Sequence, residues 1–387
     1  MSIGIIGLDF ATTHYKVELD TLAAGLGVDP NKFRYGLRQE QFSMPAIDED
    51  PVTLAATATS RLLARTGTDG IRTLVFATES GVDQSKSAGL FLRSLLDLPA
   101  GIRMFEMKQA CYAGTAALQA ALGIVARNPQ ERVLVVMSDV ARYAVDTPGE
   151  PTQGAGAVAM LVGADPQLLE IEPHTGVWSS DTDDFWRPND LSTPLVDGAL
   201  SLEAYLDALT GSWDDFTARS GLGAADIDHF VHHQPFTKMA VKAFAHFVDY
   251  TGVALDAETQ LEPGLAYTPR IGNSYAASLF IGLTALLHGD KDLTGDRVAL
   301  YSYGSGAVGE FFTGKVVAGY RDALDRERFV AELDAREDLS FVEYRTLHAA
   351  QERGSKTDFE NPRVTDAPFR FAGVKNGARY YEKNTAD

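Results

Sequence analysis

An internal repeat constrains this chain more than any other feature, because a repeated unit dictates a repeated architecture. The segment Cys111-Tyr-Ala-Gly-Thr-Ala-Ala-Leu returns downstream as Ser274-Tyr-Ala-Ala-Ser-Leu-Phe-Ile, a second small-residue entry into an apolar run. The β-rich stretch Arg132-Val-Leu-Val-Val-Met-Ser-Asp139 is answered by Arg297-Val-Ala-Leu-Tyr-Ser-Tyr-Gly304, and Gly154-Ala-Gly-Ala-Val-Ala-Met by Gly304-Ser-Gly-Ala-Val-Gly-Glu. The spacings agree too: 21 residues from Cys111 to Arg132, 23 from Ser274 to Arg297. An earlier pair, Leu74-Val-Phe-Ala-Thr-Glu79 and Phe230-Val-His-His-Gln-Pro235, reads as two strands ending in a carboxylate and in imidazoles. Each half then runs strand, helix, strand, strand. The expected fold class is α/β, with two duplicated halves packed as αβαβα layers and divided near Asp165 into residues 1–165 and 166–387.

The remaining segments add less. Gln41 to Asp50 reads as a loop, and Pro51 starts a helix over Val52–Thr66. Gly176 to Pro194 is long, aromatic and irregular, and loops of that length are usually functional. Ile271 to Gly289 is uncharged but carries Asn, Ser, Tyr, Thr and His, so it reads as a buried helix and not a membrane span. From about Arg321 the chain is a charged extension, helix-prone to about Glu352. Phe369, Phe371, Tyr380 and Tyr381 give the segment Asn361–Asp387 apolar contacts with which to dock on the body.

The 387 residues carry a net charge of −19, from 53 Asp plus Glu against 34 Lys plus Arg. Such acidity argues against nucleic acid as a partner. An anionic ligand would need locally concentrated basic residues. The single cysteine, Cys111, excludes an internal disulfide and a multi-cysteine metal cluster. With no basic N-terminal region before an apolar run, no signal peptide is visible, and a cytoplasmic location is expected.

Several residues could carry chemistry. Cys111 precedes the expected helix Ala113–Ala126, and a helix N-terminus favours a thiolate. A buried inert cysteine is the competing reading. Glu79 ends an apolar strand, where a desolvated carboxylate can serve as a base; a solvated or capping role is the alternative. His232 and His233 are adjacent, so in a strand they face opposite sides and at most one reaches a given site. No His-Glu-x-x-His pattern supports a metal. The Gly304-Ser-Gly306 turn could offer one backbone N–H and Cys111 another to a developing oxyanion. Gly154-Ala-Gly is not followed by Gly-Lys-Ser/Thr and makes a weak phosphate loop. Lys238 and Lys242 share one helix face, to meet phosphates or simply water.

Together these stretches resemble the bacterial 3-hydroxy-3-methylglutaryl-CoA synthases, acyl-condensing members of the thiolase superfamily. The resemblance rests on Ala77-Thr-Glu-Ser80 with Asp83, Phe105-Glu-Met-Lys-Gln-Ala-Cys-Tyr-Ala113, Val136-Met-Ser-Asp-Val-Ala-Arg-Tyr143, and Gly149-Glu-Pro-Thr-Gln-Gly-Ala-Gly-Ala-Val-Ala-Met160. It extends through Asp184-Phe-Trp-Arg-Pro188, Pro194-Leu-Val-Asp-Gly-Ala-Leu-Ser201, Pro235-Phe-Thr-Lys-Met239, Gly272-Asn273 and Ser302-Tyr-Gly-Ser-Gly306. It implies a five-layered thiolase-like fold. It also implies Cys111 as nucleophile, Glu79 as general acid/base and His233 as the histidine that binds the acceptor. Asp83, Asp139 and Asp184 become site carboxylates, and Asn273, Ser305, Tyr143, Thr152, Lys238 and Lys242 substrate-binding positions. Acetyl-CoA and acetoacetyl-CoA are the implied substrates, with no cofactor and no metal, in a homodimer. Gln234 stands where the family usually has a small or apolar residue, which suggests a more polar acceptor pocket. The first strand also lacks the family's apolar-Pro stretch. Two other functions share this pattern: condensation on a carrier-protein-bound β-ketone in polyketide β-branching, and a catalytically silent thiolase-fold binding protein. Retention of Cys, Glu and His argues against the second.

Overall fold

The computed structural model describes residues 2–351 and 357–384. Glu352, the expected end of the helix-prone stretch, and the last three residues up to Asp387 lie outside them. Among the described residues the central sheet has nine strands: β1 (Ile3–Ala11), β2 (Ile71–Ala77), β3 (Arg103–Met107), β4 (Arg132–Ala141), β5 (Gly154–Ala164), β6 (Leu169–Ser179), β7 (His229–His232), β8 (Arg297–Gly304) and β9 (Val308–Val316). Their spatial order is β7-β8-β9-β6-β1-β5-β4-β2-β3.

That order carries the sequence repeat. Outward from β1 come β5, β4 and β2; outward from β6 come β9, β8 and β7. On both sides the pairings run antiparallel, antiparallel, parallel. Only β3 lacks a counterpart. The two series meet where Gly4 and Ile5 pair with Glu170 and Leu169. A Cβ on Gly4 would lie 2.1 Å from the Leu169 carbonyl oxygen, so this seam requires glycine.

Eight helices position the sheet: α1 (Pro51–Thr66), α2 (Gly89–Leu95), α3 (Ala113–Arg127), α4 (Gly198–Ser220), α5 (Thr237–Thr251), α6 (Ser278–Leu287), α7 (Arg326–Ala335) and α8 (Phe341–Ala350). Strand side chains alternate between two helical layers. On β4, Val133, Val135 and Met137 join Leu118 and Ala121 of α3 and Leu283 of α6, whereas Leu134 and Val136 join Leu54 of α1 and Leu92 of α2. On β8, Val298 and Leu300 enter that same central core, and Ala299, Tyr301 and Tyr303 pack with Tyr205 of α4 and Phe244 of α5. Three cores between five layers result: outer helices, half-sheet, central α3 and α6, half-sheet, outer helices. Burial on both faces explains the uninterrupted apolar runs in the sequence.

Helix α1 begins as Pro51 suggests. Asp50 caps it, its Oδ1 accepting the Val52 and Thr53 N–H groups at 2.9 and 3.0 Å. Such a cap is worth about 1 kcal/mol. The carboxyl-terminal segment folds against this region. Phe359–Glu360, Phe369–Lys375 and Ala378–Lys383 form a small sheet, in which Phe369 and Phe371 are buried. Asp48 accepts the N–H groups of Val364 and Thr365, and Asp50 Oδ2 accepts Arg379 at 2.9 Å and Tyr381 at 2.7 Å.

Two expected loops contain strands. Gln41–Met44 pairs antiparallel with Tyr15–Glu18. The first four residues of the Gly176–Pro194 stretch complete β6, and Phe185–Trp186 pairs with Leu195–Val196. In each case the partner strand is distant or very short, so local pattern does not reveal it. No helix among the described residues is long and apolar enough to cross a membrane.

Candidate active site

Parallel strands end on the same side, and there the expected residues gather. Glu79 lies two residues beyond β2, His233 directly beyond β7, and Ser305 in the turn between β8 and β9. Cys111 lies between β3 and α3, after Ala110 in a left-handed conformation with φ 44°. A non-glycine residue there costs about 1–2 kcal/mol, so the turn must be held by its surroundings. The carboxyl-terminal half holds it. Gln109 Nε2 donates to the Ser305 carbonyl at 3.1 Å, and the Tyr112 hydroxyl donates to Glu310 at 2.6 Å. Gly304 packs so tightly that a Cβ would meet Tyr112 N at 2.6 Å.

Asp139 organises the base side. It is fully buried; Oδ1 accepts the Thr78 hydroxyl at 2.7 Å and the Glu79 and Ser80 N–H groups at 2.9 Å, while Oδ2 accepts the Ala276 N–H at 3.0 Å. These bonds fix the backbone of Glu79. Burial, only partly offset by them, raises the Asp139 carboxyl to about 6. Burial also pushes Glu79 well above the carboxylate range; Asp139 adds to this and Arg187 opposes it. Glu79 Oε2 is buried with no hydrogen-bond partner.

Cys111 is half-buried and, like Phe185, packs against the cluster of Ala141, Tyr143 and Tyr275. Its thiol is raised well above the usual range by burial, then by Glu79, Asp139 and Asp184. Burial, and after it these three carboxylates from other segments, thus oppose the thiolate that the helix N-terminus favours. His233 is held through its backbone, its N–H donating to Tyr301 O at 2.8 Å and its carbonyl accepting the Tyr205 hydroxyl at 2.7 Å. Its ring stacks on Tyr205, and Nε2 is buried without a partner. Burial lowers it to about 3, so the imidazole is neutral. His232 sits apart among Phe230, Phe244 and Tyr301.

The other expected residues divide. Asn273 Nδ2 donates to the Tyr143 hydroxyl at 3.3 Å, and its Oδ1 accepts the Tyr275 N–H at 2.9 Å. The Thr152 hydroxyl donates to Gly149 O, while its carbonyl accepts the Asn273 N–H at 3.2 Å. Asp184 is buried, accepting the Gly306 N–H and the Tyr303 hydroxyl, both at 2.9 Å. With the Gly306 N–H so engaged, Ser305 is the turn's candidate donor. Asp83 is exposed on the rim, where Oδ1 caps the Ser85 and Lys86 N–H groups at 2.8 Å and these bonds lower its proton affinity.

A cleft of about 1440 Å³ runs past Glu79, Asp83, Ala110, Tyr275 and Ser305. Lys238 and Lys242 are not part of its lining. They occupy the first two turns of α5, where the Lys238 N–H donates to Leu37 O and its charge acts on Glu262. The side chain of Gln234 is fully buried, its amide donating to Gly264 O at 3.1 Å. Its Nε2 also packs against Gly282, and its Oε1 is buried without a hydrogen-bond partner. Sequence reasoning missed Tyr205, Phe185, Tyr275 and Arg187 as site residues. Tyr275 had a signal: it occupies the place of Tyr112 in the repeat.

The chain matches the family models described as hydroxymethylglutaryl-coenzyme A synthase N terminal, over residues 1–167, and C terminal, over residues 172–265 and 256–367. It is 40% identical to the hydroxymethylglutaryl-CoA synthase of Enterococcus faecalis, covering 98% of this chain and 100% of the relative. It is 31% identical to the polyketide biosynthesis 3-hydroxy-3-methylglutaryl-ACP synthase PksG of Bacillus subtilis, covering 93% of this chain and 92% of the relative. A crystal structure of HMG-CoA synthase complexed with CoA superposes with a TM-score of 0.94 at 39% identity, covering 99% of this chain and 100% of the other. The chain belongs to the hydroxymethylglutaryl-CoA synthase family, acyltransferases of thiolase-like fold.

Proposed function

We propose that this chain condenses acetyl-CoA with acetoacetyl-CoA to 3-hydroxy-3-methylglutaryl-CoA in the mevalonate route to isoprenoids. The observation that carries this reading is the buried, unpartnered pair Glu79 Oε2 and His233 Nε2 at the site that holds the Cys111 thiol. The Cys111 sulfur attacks the acetyl carbonyl, and its proton leaves with the departing CoA thiol. The Glu79 carboxylate then removes a proton from the acetyl methyl group. The Cys111 and Ser305 N–H groups hold the enolate oxygen. The enolate carbon bonds to the ketone carbon of acetoacetyl-CoA, whose oxygen neutral His233 polarises from Nε2–H. The new alkoxide takes up the proton that Glu79 removed, which returns Glu79 to its carboxylate. Water cleaves the enzyme thioester, freeing the product carboxylate and the Cys111 thiol.

Asn273 positions Tyr143 against the acyl group, and Thr152 positions Asn273. Asp139 and Asp184 act through the backbones they hold. Asp83 shapes the rim of the cleft, which Lys238 and Lys242 do not line. Residues 1–165 and 166–387 are the two halves of one chain, and two such chains form a cytoplasmic homodimer that needs no resident cofactor. The CoA-borne acceptor is preferred to a carrier-protein acceptor because identity is 40% to the CoA synthase and 31% to the ACP synthase.

The test is loss of the acetoacetyl enolate absorbance when the chain is mixed with both thioesters, alongside trapping of labelled acetyl group on the protein. Cys111→Ala should abolish both signals. Consumption of acetoacetyl-CoA by Cys111→Ala at the wild-type rate would overturn the reading.

A further inference from the structure

The segment from Asp184 to Arg187 reaches three parts of the site. Asp184 holds the Gly306 N–H and the Tyr303 hydroxyl of the β8–β9 turn. Phe185 packs edge-on against Tyr143 and Tyr275, with ring centroids 6.2 and 5.9 Å away. The Arg187 guanidinium donates to the main-chain carbonyl of Glu79 and lines the same cleft as that residue.

The charges around Glu79 give this contact a purpose. Asp139 faces it from β4, Cys111 from the turn before α3, Tyr143 from beyond β4, and Tyr275 from before α6. Glu106, on the neighbouring strand β3, faces Asp139 and Asp83. All are acids. Burial and Asp139 drive Glu79 toward its protonated form, in which it cannot accept a methyl proton. Arg187 supplies the opposing charge. Its bond goes to the carbonyl and not to the carboxylate. A direct ion pair would occupy the oxygens of the base, whereas a main-chain anchor keeps the cation near and leaves Oε2 free.

We propose that Arg187 is a positioning residue for the condensation, fixing Glu79 through its carbonyl and sustaining the side chain in its proton-accepting form. This rests on the reading of Glu79 as the base.

The experiment compares Arg187→Met and Arg187→Lys with the wild-type full chain. It records kcat against pH for condensation, KM for both thioesters, and acetylation of Cys111. Removing the cation raises the proton affinity of Glu79, so the acid limb of the kcat profile of Arg187→Met should move up by about one pH unit. On that limb, turnover should fall roughly tenfold. Acetylation should persist, both KM values should stay within about twofold, and Arg187→Lys should return the limb toward its wild-type position. An unmoved limb overturns the proposal. If KM rises at the same time, Arg187 contacts the thioester; if it does not, Arg187 is a spectator. Glu79→Gln separates the two levels of inference. Condensation by Glu79→Gln with an unchanged acid limb removes the base assignment, and this proposal with it. Loss of condensation in Glu79→Gln beside an unmoved limb in Arg187→Met overturns the Arg187 proposal alone.

Discussion

The two halves place different chemistry on equivalent positions. Where β2 leads to Glu79, the matching β7 leads to His233. Where Cys111 precedes α3, Ser274 precedes α6 in the repeat. The amino-terminal half contributes the thiol and the Glu79 and Asp139 carboxylates; the carboxyl-terminal half contributes imidazole, amide, the Asp184 carboxylate and a turn of backbone donors. Burial acts on both in the same sense, toward the uncharged form. It raises Glu79, Asp139 and Cys111 and lowers His233. The lesson is that one desolvated pocket makes a carboxyl group a stronger base once ionised and keeps an imidazole a neutral hydrogen-bond donor.

Breaking the amino-terminal contribution should have the larger effect. Glu79→Ala should still accept the acetyl group but lose about 10²–10⁴ in condensation turnover, measured by enolate absorbance. Condensation near the wild-type rate would remove Glu79 from the mechanism. Breaking the other half should look different. His233→Ala should weaken acetoacetyl-CoA about tenfold to a hundredfold, read as acceptor KM, with acetylation intact. Should both variants fail in the same kinetic constant, the division of labour between the halves is wrong. The smallest effect sharpens the comparison most. With the imidazole neutral down to about 3, acceptor KM should show no histidine titration from pH 5 to 8. A break near 6.5 in that profile would mean that His233 charges and that its pocket is wetter than described.

Much of this arrangement was legible in the sequence, for a physical reason. Strands buried on both faces write themselves as continuous apolar runs, and duplication writes them twice, so β4, β8, α3 and the site-bearing ends of β2 and β7 could be located directly. Cys111, Glu79 and His233 stood at those ends. What escaped depends on partners far away in the chain. The strand Gln41–Met44 is defined by Tyr15–Glu18, and the end of β6 by β9. The Cys111 thiol is raised by burial and then by Glu79, Asp139 and Asp184, none adjacent to it in sequence. The amide of Gln234 donates to the carbonyl of Gly264, a partner 30 residues away that local pattern does not reveal. Arg187 was visible as part of a matching stretch without revealing that it grips Glu79.

Asp50 has a consequence for how the molecule is made. One of its oxygens caps α1 with residues that follow immediately, while the other accepts Arg379 and Tyr381, 329 and 331 residues later. At 5–20 residues per second, synthesis separates the two events by roughly 15–65 s. During that interval the first helix is already capped, yet the apolar surface destined for Phe369 and Tyr381 has no cover. The nascent chain must carry that open flank until the segment through Tyr381 has been made. The strand Ala378–Lys383 therefore seals the outer helical layer long after the helix it covers has been capped.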